Sequence, residues 1–185
     1  FSLKVTEANG ITTNGAAGVS GNATIKDDGT GPGPNPDNDK PALAVSDAGN
    51  VNEGGNAVFN VSLSNAAEAP LVINLGLVYG TAEAADLGTM TVTYVDGNGQ
   101  TQTLAVATNG DVTVPAGVTN LTVTVATTQD SVYEGPETFS LKVTEANGIT
   151  TNGAAGVSGN ATITDNDSAP KVATIVGDTV VEGNA

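Results

Sequence analysis

Apolar and polar residues alternate with a period of two along most of this chain. Phe59, Val61 and Leu63 interleave with Val58, Asn60 and Ser62. Leu71, Ile73, Leu75 and Leu77 form a second set, Met90, Val92 and Tyr94 a third, and Leu121, Val123 and Val125 a fourth. Phe139, Leu141 and Val143 are opposed by Ser140, Lys142 and Thr144, and Ala161 and Ile163 close the series. Successive side chains of a strand point to opposite faces, so this pattern predicts half-buried β-strands. Between them stand Asp96-Gly97, Asn98-Gly99, Asn109-Gly110, Asn147-Gly148 and Asn152-Gly153, pairs that tolerate positive φ and mark hairpin turns. No segment carries a helical apolar stripe. The spacing predicts an all-β fold of seven to nine strands, an antiparallel β-sandwich of immunoglobulin-like type with an outer surface rich in Thr, Ser and Asn.

The pattern also repeats. Residues 1–25 are identical to residues 139–163, an offset of 138. Val51-Asn52-Glu53-Gly54 returns as Val180-Val181-Glu182-Gly183. A long identical run at a fixed offset is the mark of a tandem array. The chain therefore reads as a fragment of a longer array, with partial repeats at both ends. Residues 1–26 are the last strands of one repeat, 27–41 a Gly/Pro-rich linker, 42–168 a complete repeat, and 169–185 the start of the next. Gly31-Pro32-Gly33-Pro34 suits neither a central strand nor a helix. The second joint, Asp165 to Lys171, is shorter, so we expect it to stiffen with a bound cation more than the first.

Charge narrows the chemistry. Twenty Asp and Glu face five Lys and no Arg, a net charge of −15, which argues against a nucleic-acid partner. With no Cys and no His, thiol chemistry, zinc-thiolate sites and the commonest general base are excluded. No apolar run approaches the roughly 20 residues of a membrane helix, so no direct membrane insertion is expected. What remains is carboxylate chemistry, either acid pairs or a hard cation held by oxygen.

The informative acids follow or precede strands. Glu53 follows the first strand, Asp86 lies in the loop after Leu71–Tyr79, Asp130, Glu134 and Glu137 precede the Phe139 strand, and Asp165 and Asp167 follow the last one. Alternate loops of a sandwich collect at one end, so these acids are expected to converge on one pole. Without a basic partner they repel one another, and a Ca²⁺ ion relieves that repulsion. Glu68, Glu83, Asp96, Asp111 and Glu145 are read as solvated surface charge.

The run Asp130-Ser131-Val132-Tyr133-Glu134-Gly135-Pro136-Glu137-Thr138-Phe139, with Ala161-Thr162-Ile163-Thr164-Asp165-Asn166-Asp167, resembles the Calx-β motif. Val51-Asn52-Glu53-Gly54 and the Gly80-Thr81-Ala82 loop with Asp86 resemble that family's earlier motifs. The resemblance implies a Calx-β sandwich with Ca²⁺ as cofactor. The implied metal ligands are Glu53, Asp86, Asp130, Glu134, Glu137, Asp165 and Asp167, with Asn166 offering its carbonyl where some members carry another acid. Relative to shorter members, Met90–Asp111 resembles an added hairpin.

Near-identical repeats without Cys, rich in Thr, Ala, Val, Gly and Asn, further resemble the extender regions of giant RTX-type bacterial biofilm adhesins. That resemblance implies type I secretion, an extracellular, outer-membrane-anchored location, and no enzyme activity. It also implies a Ca²⁺-stiffened spacer whose partners are neighbouring repeats, with surface or polysaccharide contact left to other domains. Two alternatives stay open. One is a carbohydrate- or ice-binding module, suggested by Thr91-Val92-Thr93, Thr101-Gln102-Thr103 and Thr122-Val123-Thr124. The other is a regulatory Ca²⁺-sensing Calx-β domain.

Overall fold

The computed structural model describes residues 1–23, 40–178 and 182–183, in two compact units, Phe1–Asp39 and Lys40–Ala185. Most of the linker expected at 27–41 lies outside the described residues. The first unit is a two-stranded antiparallel hairpin, β1 (Ser2–Val5) and β2 (Val19–Asn22).

The second unit is a sandwich of two five-stranded sheets. Its strands are β3 (Leu43–Val45), β4 (Gly49–Asn52), β5 (Asn56–Leu63), β6 (Leu71–Tyr79), β7 (Leu87–Val95), β8 (Thr101–Leu104), β9 (Asp111–Val114), β10 (Asn120–Thr127), β11 (Glu137–Thr144) and β12 (Val157–Thr164). One sheet runs β3-β5-β10-β7-β8 and the other β4-β12-β11-β6-β9. Every pairing is antiparallel except β4 with β12. Among the described residues no helix is long and apolar enough to cross a membrane.

Among the described residues of this unit ten strands form where seven to nine were expected. The difference lies in short strands whose alternation is too brief to stand out. The first strand is split. Its first half, β3, pairs with β5, and its second half, β4, pairs with β12 in the other sheet. The crossing at Ser46–Ala48 is pinned from both sheets: Ser46 N donates to Asn60 O at 2.9 Å and Ala48 N to Asn160 O at 2.9 Å. A Cβ on Gly159 of β12 would stand 2.2 Å from the Ser46 carbonyl oxygen, so only glycine lets the crossing chain lie this close.

Within Met90–Asp111, β7 and β8 pair as a hairpin that is an integral part of its sheet. β7 lies between β10 and β8 in the interior of its sheet, and Val92 has no solvent exposure. β9 brings Val112 and Val114 into the core of the opposite sheet. The predicted alternating residues fill the space between the sheets, where Phe59 and Phe139 meet edge to face with ring centroids 5.9 Å apart.

Glu145, expected at the surface, is buried with only 1% exposure. Its carboxylate accepts from Asn147 N at 2.5 Å, Thr150 N at 2.9 Å and Thr150 Oγ1 at 3.1 Å, and so organises the β11–β12 loop. Burial alone would raise its pKa, but the hydrogen bonds from Thr150 and Asn147 prevail and hold it below the usual glutamate range. The loop in turn grips the start of the repeat. Asn152 exchanges two 2.8 Å hydrogen bonds with the backbone of Leu43, and Thr151 N donates to Pro41 O at 3.0 Å. Glu7 plays the same part in the first unit, accepting from the N–H groups of Asn9, Ile11 and Thr12. Asp96 and Asp111 are anchors too. Asp96 accepts from Asn98 N, Gln100 N and Gln102 Nε2, and Asp111 from Asn74 and Asn109, which lowers both pKa values.

Candidate metal centre

The opposite, downstream pole gathers the acids. The parallel pairing of β4 with β12 places Asn52 beside Thr164, and Glu53 N continues the ladder by donating to Thr164 O at 3.0 Å. Glu53 and Asp165 therefore leave the two strands side by side. The chain then turns at Gly54, whose φ of 72° suits glycine, with Gly54 N donating to Thr128 O at 3.3 Å. Asp86 ends a 3₁₀ turn, Ala84–Asp86, and accepts from Glu83 N at 2.5 Å, while Thr128 N donates to its carbonyl at 2.8 Å. Glu137 opens β11 and lies opposite Ile163.

Residues 128–136 form a loop without strand structure that is tied to these ends. Asp130 N donates to Glu53 Oε1 at 2.9 Å, and Glu134 N donates to Asp165 Oδ2. Asp165 Oδ1 accepts from Asp167 N at 2.6 Å.

Six of the seven expected ligands fall into two triads, Glu53–Asp165–Asp167 and Asp86–Glu134–Glu137. In each, carboxylate oxygens lie within 4.8 Å of one another. A cavity of about 10 Å³ joins the triads, lined by Glu53, Asp86, Glu134, Gly135, Glu137, Ile163 and Asp165. Asp130 joins neither triad: its carboxylate turns back to accept from Val132 N at 2.7 Å. The Asn166 carbonyl is also taken. Asn166 and Gln129 exchange amide hydrogen bonds of 2.9 and 3.2 Å, and Asn166 Nδ2 also donates to Glu53 O at 3.1 Å. Gln129, unmarked in the sequence beyond its place before Asp130, is the residue that stitches β10, Glu53 and Asn166 together.

The electrostatics are unfavourable to so many anions. Burial pushes the Glu134 carboxyl up, and the charges of Asp86, Asp130, Glu53 and Asp165 push the same way. Burial raises Glu137 to about 7, helped by its hydrogen bond to Asp86 and the charges of Asp86 and Glu134. Lys142 does not relieve this, because it stands five residues along β11 from Glu137, roughly 17 Å at about 3.4 Å per residue. Asp167 Oδ2 is buried with no hydrogen-bond partner among the described residues. An orphaned anionic oxygen is costly unless something positive satisfies it.

This donor set fits Ca²⁺. All the donors are hard oxygens. Ligands at about 2.3–2.6 Å on opposite sides of the ion stand roughly 4.6–5.2 Å apart, which accommodates the 4.8 Å spread of each triad.

A two-sheet sandwich with a split first strand and a carboxylate pole is the Calx-β architecture. The profile of the Calx-β domain matches residues 52–169, and the chain belongs to that family. Among solved structures, the calcium-binding domain CBD12 of CALX1.1 is similar, with 16% identity and a TM-score of 0.49 over 68% of this chain and 46% of that one. The apo-form CBD1 domain of Calx is similar with 18% identity and a TM-score of 0.44, over 68% of this chain and 99% of that one. The chain thus spans about half of the CALX1.1 structure and nearly all of the single CBD1 domain. No curated protein sequence matches it.

The outer face of the β3-β5-β10-β7-β8 sheet carries the threonines of the three Thr-X-Thr triplets. Thr93 lies opposite both Thr122 and Thr103, and Thr91 lies opposite Thr124. An open groove of about 620 Å³ runs over part of this face, lined among others by Asn60, Thr93, Tyr94, Asp96 and Thr122.

Proposed function

We propose that this chain is a Ca²⁺-stiffened spacer repeat of a secreted, surface-anchored bacterial adhesin. Its work is mechanical rather than enzymatic, and its partners are the neighbouring repeats. The observation that carries this reading is the buried, unpartnered Oδ2 of Asp167, three residues past the end of β12 and in a triad with Glu53. That places an unmet demand for positive charge where the chain leaves the sandwich. When bound, Ca²⁺ supplies that charge as a hard multivalent cation. Glu53 and Asp165 would hold it on the strand ends, Glu134 on the loop before β11, Glu137 at the start of β11, Asp86 on the 3₁₀ turn, and Asp167 on the outgoing chain. Neutralising these groups locks the outgoing segment to the domain and limits the bending of one repeat on the next. The 25-residue identity between residues 1–25 and 139–163 supports the tandem setting.

Calorimetric titration of the chain with Ca²⁺, paired with melting curves in Ca²⁺ and in chelator, tests this reading. A ligand at about 100 times its dissociation constant adds roughly 2.7 kcal/mol per site, so the chelated chain should melt many degrees lower. Absence of binding heat together with superimposable melts would refute it. The affinity separates a spacer from a Ca²⁺ sensor: an extracellular module binds near 10⁻⁴–10⁻³ M and a sensor near 10⁻⁷–10⁻⁵ M, as orders of magnitude.

The threonine face favours a second reading, a carbohydrate-binding adhesive module. Asp96 is the only charged residue lining its groove, which suits a neutral polysaccharide. A glycan array probed with the chain and with Thr93→Ala decides it, since a true site loses its signal in the variant.

A further inference from the structure

We propose that Asn147 is a site of spontaneous deamidation, singled out by the fold from the four Asn-Gly pairs of the complete repeat. In this reaction the backbone nitrogen of the following residue attacks the asparagine Cγ. The side-chain nitrogen leaves as ammonia, and a five-membered succinimide closes. Water then opens the ring at either carbonyl, giving aspartate or isoaspartate. Glycine permits the attack because no Cβ obstructs its nitrogen. Sequence alone thus makes Asn98, Asn109, Asn147 and Asn152 equivalent. A folded chain restrains the reaction by holding the asparagine amide, by engaging the glycine N–H, or by filling the space the ring needs.

Three pairs are restrained. At Asn98-Gly99, the attacking nitrogen is engaged, since Gly99 N donates to Asp96 O at 2.9 Å. At Asn109-Gly110, both ends of the asparagine amide are bound to Asp111, and Gly110 N donates to Ala107 O at 2.8 Å. A Cβ on Gly110 would also stand 2.4 Å from Leu75 O. At Asn152-Gly153, the amide is held by its two 2.8 Å bonds to Leu43, and the space beside Gly153 is filled, since a Cβ there would stand 2.1 Å from Thr150 Oγ1.

Asn147-Gly148 has none of these restraints. Both residues are exposed. Asn147 is tethered through its own backbone N–H to Glu145 Oε1, while among the described residues its side-chain amide and the Gly148 N–H have no hydrogen-bond partner. The Cβ position of Gly148 meets nothing within 4 Å. The leaving group, the nucleophile and the space for the ring are all free.

The product matters because of where it forms. Isoaspartate adds one carbon to the main chain inside the loop that wraps Glu145, and it brings a new negative charge beside that buried carboxylate. The same loop grips Pro41 and Leu43 through Thr151 and Asn152. Conversion therefore loosens the hold on β3 at the upstream pole. Residues 1–25 carry the same pair as Asn9-Gly10, also exposed.

The test is incubation of the full chain at mildly alkaline pH, folded and in urea, with digestion after Glu and tandem mass spectrometry using electron-transfer fragmentation. In the folded chain Asn147 should convert about fivefold or more faster than Asn98, where one hydrogen bond must break, and about tenfold or more faster than Asn109 and Asn152, where two or more must. In urea the four rates should converge. Folded-state rates within about twofold of each other, or a lead by any of the other three, overturn the proposal. Amide hydrogen exchange of Leu43 reports the consequence. It should quicken in the converted fraction and stay slow in Asn147→Gln, and equal exchange in both overturns the loosening of β3.

Discussion

Asp165 Oδ2 accepts the backbone N–H of Glu134, 31 residues earlier in the chain. The residue that follows the last strand thereby holds the loop that precedes β11. Both acids then sit in neighbouring triads, Asp165 with Asp167 and Glu134 with Glu137. Strand pairing and these hydrogen bonds bring the anions together, so the pole is shaped by the protein itself.

Asp167→Asn should have opposite effects with and without metal. In chelator it removes one charge from a crowded acid group and raises stability by on the order of 1 kcal/mol. In Ca²⁺ it removes an anionic donor and weakens binding about tenfold or more, taking loss of an outer-shell contact as the lower bound. Melting curves and calorimetry on the same protein check both signs. A variant destabilised under both conditions would show that Asp167 serves the fold alone.

The acids should rank by their place at the pole. Glu134→Gln is expected to weaken Ca²⁺ binding most. Asp130→Asn should have an intermediate effect, because Asp130 acts through Val132 and through its backbone bond to Glu53. The exposed Glu68, changed to Gln, should leave binding unchanged. Equal losses in all three, read by Ca²⁺ titration, would point to diffuse attraction by net charge.

The pH dependence follows from Glu137, whose folded value of about 7 exceeds its unfolded value of 4.5. A raised folded pKa contributes stability that is fully present below 4.5 and lost as pH rises through 7. Glu134 acts in the same direction. Glu145, Asp96 and Asp111 have lowered values, so their contribution is present above their unfolded pKa and lost as pH falls through the folded one. In chelator, the melting temperature should therefore pass through a maximum on the acid side of neutrality and decline toward pH 7. Ca²⁺ should remove that decline, and Glu137→Gln should lessen it, leaving the part due to Glu134. A chelated protein whose melting temperature keeps rising to neutrality would contradict the crowding of acids.

Gly159 and Gly21 occupy the same place in two identical stretches of sequence but meet different surroundings. A Cβ on Gly159 would strike Ser46 O at 2.2 Å, whereas one on Gly21 meets nothing within 4 Å. Gly159→Ala should destabilise the sandwich by about 1–3 kcal/mol, the usual cost of overpacking. Gly21→Ala should stay within about 0.5 kcal/mol of the parent. Urea denaturation of both variants measures the contrast.

Alternation along the chain was enough to establish an all-β sandwich, its buried residues and the strands that carry the acids. Each strand reports its own inner face through a period of two, and burying that face is the dominant force. The acidic residues at the strand ends were legible for a similar reason, since loops at one end of a sandwich must lie near each other. Tertiary structure alone decided the rest. β3, β4 and β9 span only three or four residues, too short for a periodic signal, and exist because a longer strand offers them an edge. Asp130 and Asn166 look like ligands in sequence, and in the fold their side chains accept hydrogen bonds from Val132 and, 37 residues away, from Gln129. Glu145 looks like surface charge, yet it is buried because the N–H groups of its own loop satisfy it. Period and composition follow from the sequence taken one residue at a time. The partner of a polar group depends on how loops fold back, whether onto near neighbours as around Glu145 or onto distant ones as between Asn166 and Gln129, and the loops take that shape only once the two sheets have closed.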